Sequence, residues 1–270
     1  MKVLICTNGF AESWRAFEAG ALVARALRTE AVILGVVERP SATQRVQRAI
    51  EEASAILTIH DVAHTSHVRE GKAVAGIASE AAAGDYLTVA GLLGRSHLIR
   101  AVRRSSVWRL LDAVSGPMLV VCEPRAALRS VLICSGGLGR TNAAVRLAGE
   151  IAQGARAQVT LLHILTPTPL MEQGWKREMP DSAAFLQSDA LQARHLREEL
   201  ALLHNLRLEP AFTLRSGRPL DEILAEVHAG DYDMVAIGST TAAGRLVKVA
   251  VGGITDKVAE RAGRPVLVVR

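Results

Sequence analysis

Val3-Leu4-Ile5-Cys6-Thr7-Asn8-Gly9, near the start of the chain, returns as Val131-Leu132-Ile133-Cys134-Ser135-Gly136-Gly137. Each run is a short apolar stretch broken by a glycine turn, so one buried strand and its turn are met twice. Two further matches keep the same order. Arg69-Glu70-Gly71 through Gly84-Asp85-Tyr86 aligns without gaps to Arg215-Ser216-Gly217 through Gly230-Asp231-Tyr232, with Ile77, Glu80 and Ala83 meeting Ile223, Glu226 and Ala229. Pro117-Met118-Leu119-Val120-Val121 is answered by Pro265-Val266-Leu267-Val268-Val269. Three matches in one order mean duplication of a whole domain. The 270 residues divide into domains 1–124 and 129–270, with the segment 123–129 around Pro124 as linker.

Within each copy short apolar runs alternate with amphipathic segments, the pattern of an α/β domain with a parallel sheet joined by crossover helices. Strands are expected over 2–7, 31–37, 63–69, 87–90 and 118–122, and again over 130–135, 158–165, 209–215, 234–237 and 266–269. The composition agrees: 49% of residues are hydrophobic but only 3% aromatic, as in aliphatic cores packed between a sheet and its helices. The stretch 166–180, with its prolines, reads as a surface loop before a helix near 182–204, and the counterpart of loop and helix together in the first copy, 38–57, is shorter.

No apolar run reaches membrane-spanning length, and the apolar start breaks off at Asn8-Gly9, so neither a membrane span nor a signal peptide is expected. Cys6, Cys122 and Cys134 lie in strand-like runs without a C-x-x-C pair, which suggests buried thiols in a reducing cytoplasm. A net charge of +5 is compatible with a phosphate ligand, an acidic surface or nucleic acid, and selects none of them.

Both copies resemble universal stress protein domains over nearly their full length. The resemblance rests on the opening strand and glycine turn, on Gly217-Arg218-Pro219 before the third helix (Gly71-Lys72-Ala73 in the first copy, without the proline), and on the closing strand. It implies two tandem Rossmann-like domains of the adenine nucleotide alpha hydrolase-like kind. Each would be a five-stranded parallel sheet of order 3-2-1-4-5, with helices on both faces and the ligand at the carboxyl ends of the strands. It further implies that the last strands of the two domains pair antiparallel within the chain as a pseudo-dimer, with a homodimer as a further option.

The nucleotide-binding members of that family carry G-x2-G-x9-G-[S/T] after the fourth strand, where glycines let backbone N–H groups close on phosphates at a helix N-terminus. In the first copy Gly91 and Gly94 begin the pattern, nine residues follow, and Arg104-Ser105 then stands where the third glycine and the hydroxyl belong. Arg104 can pair with phosphate or occupy its room. Ser106 adds a second hydroxyl, Asn8 replaces the family's first-turn aspartate, and the backbone of Val36 would lie near the adenosine. The second copy is further from the pattern: Gly238 opens it, Thr241 stands at the next glycine, Gly252-Gly253 arrives one residue late, and Gly136 replaces the aspartate. What is left there is a glycine-rich anion cradle of Gly136 and Gly137 at one helix start and Gly252 and Gly253 at another.

The resemblance thus implies a cytoplasmic stress-response module binding ATP or a related adenine nucleotide, with magnesium only alongside the nucleotide and at most weak hydrolysis. The first copy is the better candidate. The alternative is a regulatory scaffold that has lost the nucleotide and works through an unidentified protein partner. Ser135-Gly136-Gly137-Leu138 is also similar to the S-G-G-x-D-S loop of ATP pyrophosphatases, but Gly139 stands in place of the acid. No catalytic constellation emerges. His60, Asp61, His64 and His67 have the spacing of a zinc site on a helix, yet the alignment puts the last two in or beside a strand, where alternation separates them. Arg95, Arg100, Arg103, Arg104 and Arg109 cluster near the first motif, but aromatics for base stacking are nearly absent, which disfavours nucleic acid.

Overall fold

The computed structural model describes residues 1–91, 106–166, 181–238 and 253–270. The first half contains β1 (Lys2–Thr7), α1 (Arg15–Leu27), β2 (Ala31–Val37), α2 (Thr43–Ile59), β3 (His64–Glu70), α3 (Ala73–Ala82), β4 (Tyr86–Gly91), α4 (Ser106–Ala113) and β5 (Met118–Val121). The second contains β6 (Ser130–Ser135), α5 (Asn142–Ala155), β7 (Gln158–Leu165), α6 (Ser182–Gln187), α7 (Leu191–Asn205), β8 (Ala211–Ser216), α8 (Pro219–Ala229), β9 (Met234–Gly238), α9 (Ile254–Arg261) and β10 (Val266–Val269). Among the described helices, none is long and apolar enough to cross a membrane.

The strands form one ten-stranded sheet of order β3-β2-β1-β4-β5-β10-β9-β6-β7-β8. Each half has the expected order 3-2-1-4-5 and is parallel throughout. The halves meet at β5 and β10, which pair antiparallel with Val120 opposite Val266 and Met118 opposite Val268. That pairing satisfies two strand edges that would otherwise be open.

Strand alternation sends Val3 and Ile5 to one face of the sheet and Leu4 and Cys6 to the other. Each face carries its own buried layer, and each layer runs through both halves. One packs α1, α2, α5 and α7; the other packs α3, α4, α8 and α9. The three cysteines are buried and free, and burial pushes the Cys6 and Cys134 thiols well above their ordinary range.

The observed strands follow the expected ones closely, with two instructive shifts. β3 and β8 lie one or two residues later than the apolar pattern indicates; both are the sheet's outer strands and mostly unburied, so alternation marks their ends poorly. The helix expected near 182–204 is two helices. The Ser188 hydroxyl donates to the Phe185 carbonyl and accepts from the Ala190 N–H, replacing helical bonds at the break. In the first half, most of 38–57 is helix α2, and 167–180 lies outside the described residues.

Contact between the halves extends to α1 and α5. Gly154 in α5 lies so close to α1 that an added Cβ would stand 1.9 Å from the Ala26 carbonyl oxygen. Gly154→Ala is therefore expected to cost about 1–3 kcal/mol in urea unfolding. Gly76→Ala, where the new Cβ meets Val36 at an ordinary 3.5 Å, should gain up to about 1 kcal/mol from helix propensity. The opposite ranking would contradict close packing of α1 on α5.

Candidate functional site

The two opening turns are built alike. At each strand end a hydroxyl accepts the N–H two residues on, Gly9 to Thr7 Oγ1 and Gly137 to Ser135 Oγ, both at 3.0 Å. Gly9 and Gly137 have φ of +76° and +64°; the first lies against α2, the second against β7 and α7. A Cβ on Gly9 would meet the α2 backbone at Arg45 and Val46, and one on Gly137 would meet His163 and Gln192. Gly137 is thus turned toward β7 and α7, its N–H already taken, and away from the anion cradle the sequence suggested.

In the first half, register places three of the sequence candidates side by side at the carboxyl edge of the sheet. Asn8 follows Thr7, which pairs with Gly35; Val36 follows Gly35; Gly91 follows Ala90, which pairs with Cys6. Asn8 is buried, and its Oδ1 accepts the Phe10 N–H at 3.4 Å. The Val36 side chain is packed in the core with Ala73 and Ile77. The first N–H of α3 donates to Glu38 Oε1 at 3.2 Å, so a carboxylate of the chain already sits at that helix start. Ser106 opens α4. Gly94, Arg104, Ser105 and Gly252 lie outside the described residues.

The second half presents a cleft of about 350 Å3 at the matching place, a size suited to a small ligand. Gly136, Ile164 and Gly238 line it. By strand register these are the counterparts of Asn8, Val36 and Gly91. A Cβ on Gly136 would meet nothing within 4 Å, so this turn leaves room where the first half carries an amide. Thr166, the counterpart of Glu38, also lines the cleft, and so do Gly253, Ile254 and Thr255 at the start of α9. The first N–H groups of a helix have no partner within it. The start of α9 therefore offers anion-binding donors beside Gly238.

One wall comes from the other half of the chain. Trp108, Leu111 and Asp112 of α4 line the cleft, as does Arg270 beyond β10. Arg270 Nη1 donates to the Val114 carbonyl at 2.6 Å. Burial lowers the pKa of its guanidinium, while Asp112 and Asp256 favour its charge. The motif in the sequence carried no sign of this wall, because only the β5–β10 pairing brings α4 to the second site. Ile164 could have been found by carrying Val36 across the internal repeat.

Behind the floor lies a polar cluster. His163 Nδ1 is 3.0 Å from the Ser135 carbonyl, its ring is stacked on Phe185, and burial pushes its pKa down. Ser135 Oγ and Thr141 Oγ1 are 3.3 Å apart, and Thr141 donates to the buried Glu199. The four residues weighed for zinc do not form such a cluster. His60 bonds Glu18, His64 the Val62 carbonyl, and His67 pairs with Glu80. Among the described residues no group of three or more histidine, cysteine or acidic side chains could hold a metal.

The fold is shared with solved proteins. A universal stress protein from Archaeoglobus fulgidus DSM 4304 superposes with a TM-score of 0.75 at 15% identity, over 100% of this chain and 98% of its own. A functionally unknown protein from Pseudomonas aeruginosa PAO1 gives 0.69 at 16% identity, over 99% and 92%. A shorter universal stress protein from Archaeoglobus fulgidus, in complex with dAMP, gives 0.36 at 18% identity, over 53% of this chain and 98% of its own. No curated protein matches the sequence. The model of the universal stress protein family matches residues 128–270, the whole second half. With more than half of its length matched, this chain belongs to the universal stress protein family.

Proposed function

We propose that this universal stress protein is a ligand-binding module rather than a catalyst, and that its second half receives an adenine nucleotide. The observation that carries the reading is the cleft itself. Gly136, Ile164 and Gly238 stand at the carboxyl ends of β6, β7 and β9, where an open α/β sheet takes its ligand. The adenosine end would lie at Gly136 and Ile164, with the phosphates at Gly238 and the start of α9; magnesium would enter only with the phosphates. This ranks the second half above the first, the reverse of the order that motif spacing suggests. Three features support the reversal: the open space at Gly136, Thr166 in place of Glu38, and the aromatic wall that Trp108 supplies.

The competing reading, a scaffold that acts through protein contacts, is favoured by the loss of the first-turn acid in both halves. Calorimetric titration with ATP, ADP and AMP separates the two, alongside mass spectrometry of ligand copurified with the protein. Saturable binding to the wild-type protein is expected; no heat and no copurified nucleotide would leave the scaffold standing. Gly136→Asp restores an acceptor for the adenosine end and should tighten binding about tenfold, the worth of one hydrogen bond of about 1.4 kcal/mol. Gly136→Phe should abolish binding while leaving the melting temperature near that of the wild type, since the side chain enters empty space. Equal nucleotide affinity in Gly136→Phe and wild type would place the ligand elsewhere.

A further inference from the structure

Beneath the cleft lies a carboxyl that the fold itself does not require. Glu199 on α7 is fully buried. Its Oε1 accepts the Thr141 hydroxyl, and its Oε2 has no hydrogen-bond partner among the described residues. The offset that carries Arg69 onto Arg215 carries Ala53 onto Glu199, and Ala53 is equally buried in the first half. The hydroxyl pair there closes on itself: Thr7 Oγ1 and Ser13 Oγ are 2.7 Å apart, and Ser13 donates to the Phe10 carbonyl. In the second half the equivalent hydroxyls, Ser135 and Thr141, open toward Glu199 on one side and line the cleft on the other. A buried carboxyl with one oxygen unpartnered among the described residues is costly, and a structural role does not account for one where alanine serves in the sister half.

We infer that Glu199 is a positioning residue that sets the hydrogen-bond polarity of Ser135 and Thr141, so that the cleft takes up an anionic group together with one proton. When Glu199 is charged it draws the hydroxyl protons inward, that of Thr141 to Oε1 and that of Ser135 to Thr141 Oγ1 at 3.3 Å, so that oxygen lone pairs face the cleft, which opposes a phosphate oxygen. When Glu199 is protonated, its own O–H donates to Thr141 Oγ1, and the threonine proton turns outward to the ligand. Neutral glutamic acid also leaves no buried charge uncompensated. The inference deepens the nucleotide reading, but it depends only on the ligand's anionic part.

The surroundings agree. Burial raises the Glu199 carboxyl above the ordinary range, Ser135, Thr141 and His195 pull it back, and Glu198 pushes it up. His195 and Glu198 belong to the same helix; β6 and the start of α5 contribute the two hydroxyls, β7 contributes His163, which contacts the Ser135 carbonyl, and the cleft above carries Asp112, Asp256 and Arg270. An acid raised in the folded state binds its proton more tightly there than in the unfolded chain. Its contribution to stability is therefore present below the ordinary value of 4.5 and is lost as pH rises through the folded pKa. In melting curves, wild type should lose stability over that interval relative to Glu199→Gln, which has nothing to titrate there.

The direct test follows the amide signals of Gly136, Gly253 and Ile254 by NMR during titration with cyclic AMP and, separately, with sulfate, whose charges are constant from about pH 5.5 to about pH 8.5. For wild type, affinity should fall by up to about tenfold per pH unit above the Glu199 pKa. Glu199→Gln, and Glu199→Ala with the first half's residue, should keep the low-pH affinity throughout. If Glu199→Gln or Glu199→Ala follows the wild-type pH profile, Glu199 does not set the polarity. If cyclic AMP leaves the signals unmoved while sulfate shows the Glu199-dependent profile, the adenine reading fails and the present inference stands. If neither ligand moves the signals at any pH, the inference is overturned.

Discussion

Three residue pairs between β5 and β10, antiparallel where every other neighbour in the sheet is parallel, turn two five-stranded sheets into one of ten. Each strand ends a half that would otherwise expose a row of unpaired backbone groups, and each covers the other. Two continuous apolar layers follow, one on either face, crossing the junction without interruption. The pairing also carries α4 across the boundary, so that Trp108, Leu111 and Asp112 of the first half wall a cleft whose floor belongs to the second. In this tandem chain the two halves are therefore not interchangeable copies; one helps to wall the other's cleft.

The asymmetry is chemical as well as positional. Matching strand ends carry Asn8 and Gly136, Val36 and Ile164, Glu38 and Thr166. In the first half an amide and a carboxylate occupy the carboxyl edge, the carboxylate at the start of α3. In the second, Gly136 and Thr166 replace both groups, Asp112 and Asp256 line the cleft elsewhere, and Glu199 lies beneath the floor, where it accepts the Thr141 hydroxyl. Duplication supplies a scaffold whose stability comes from apolar layers that tolerate such exchanges at the strand ends. A site can then change in one half while the other keeps packing.

Much of this was legible in the chain. The ends of β1, β2, β6, β7 and β10 fall where the apolar runs begin and stop, because strands buried on both faces leave their full length in the sequence. β3 and β8 were blurred by their exposure at the outer edges, and the break at Ser188 was hidden because a single serine hydroxyl makes it. The site was legible in outline only. Spacing identified Gly91 and Gly238 at equivalent strand ends, and residue type flagged Asn8 and Gly136. By sequence Gly137 reads as a phosphate glycine, yet its positive φ and the closeness of Gln192 to where a Cβ would stand show a packing demand that composition does not distinguish. Glu199 and Trp108 lay beyond reach, since their places depend on a helix register and on a strand pairing that no local motif encodes.

The most direct trial of the account is a co-crystal structure with ADP. It should show the nucleotide over the carboxyl ends of β6 and β9, with its adenosine beside Gly136 and Ile164 and its phosphates at Gly238 and the first turn of α9. A nucleotide seated instead over β1 and β4 beside Asn8, or a cleft that stays empty at saturating ligand, would contradict the assignment of the site to the second half.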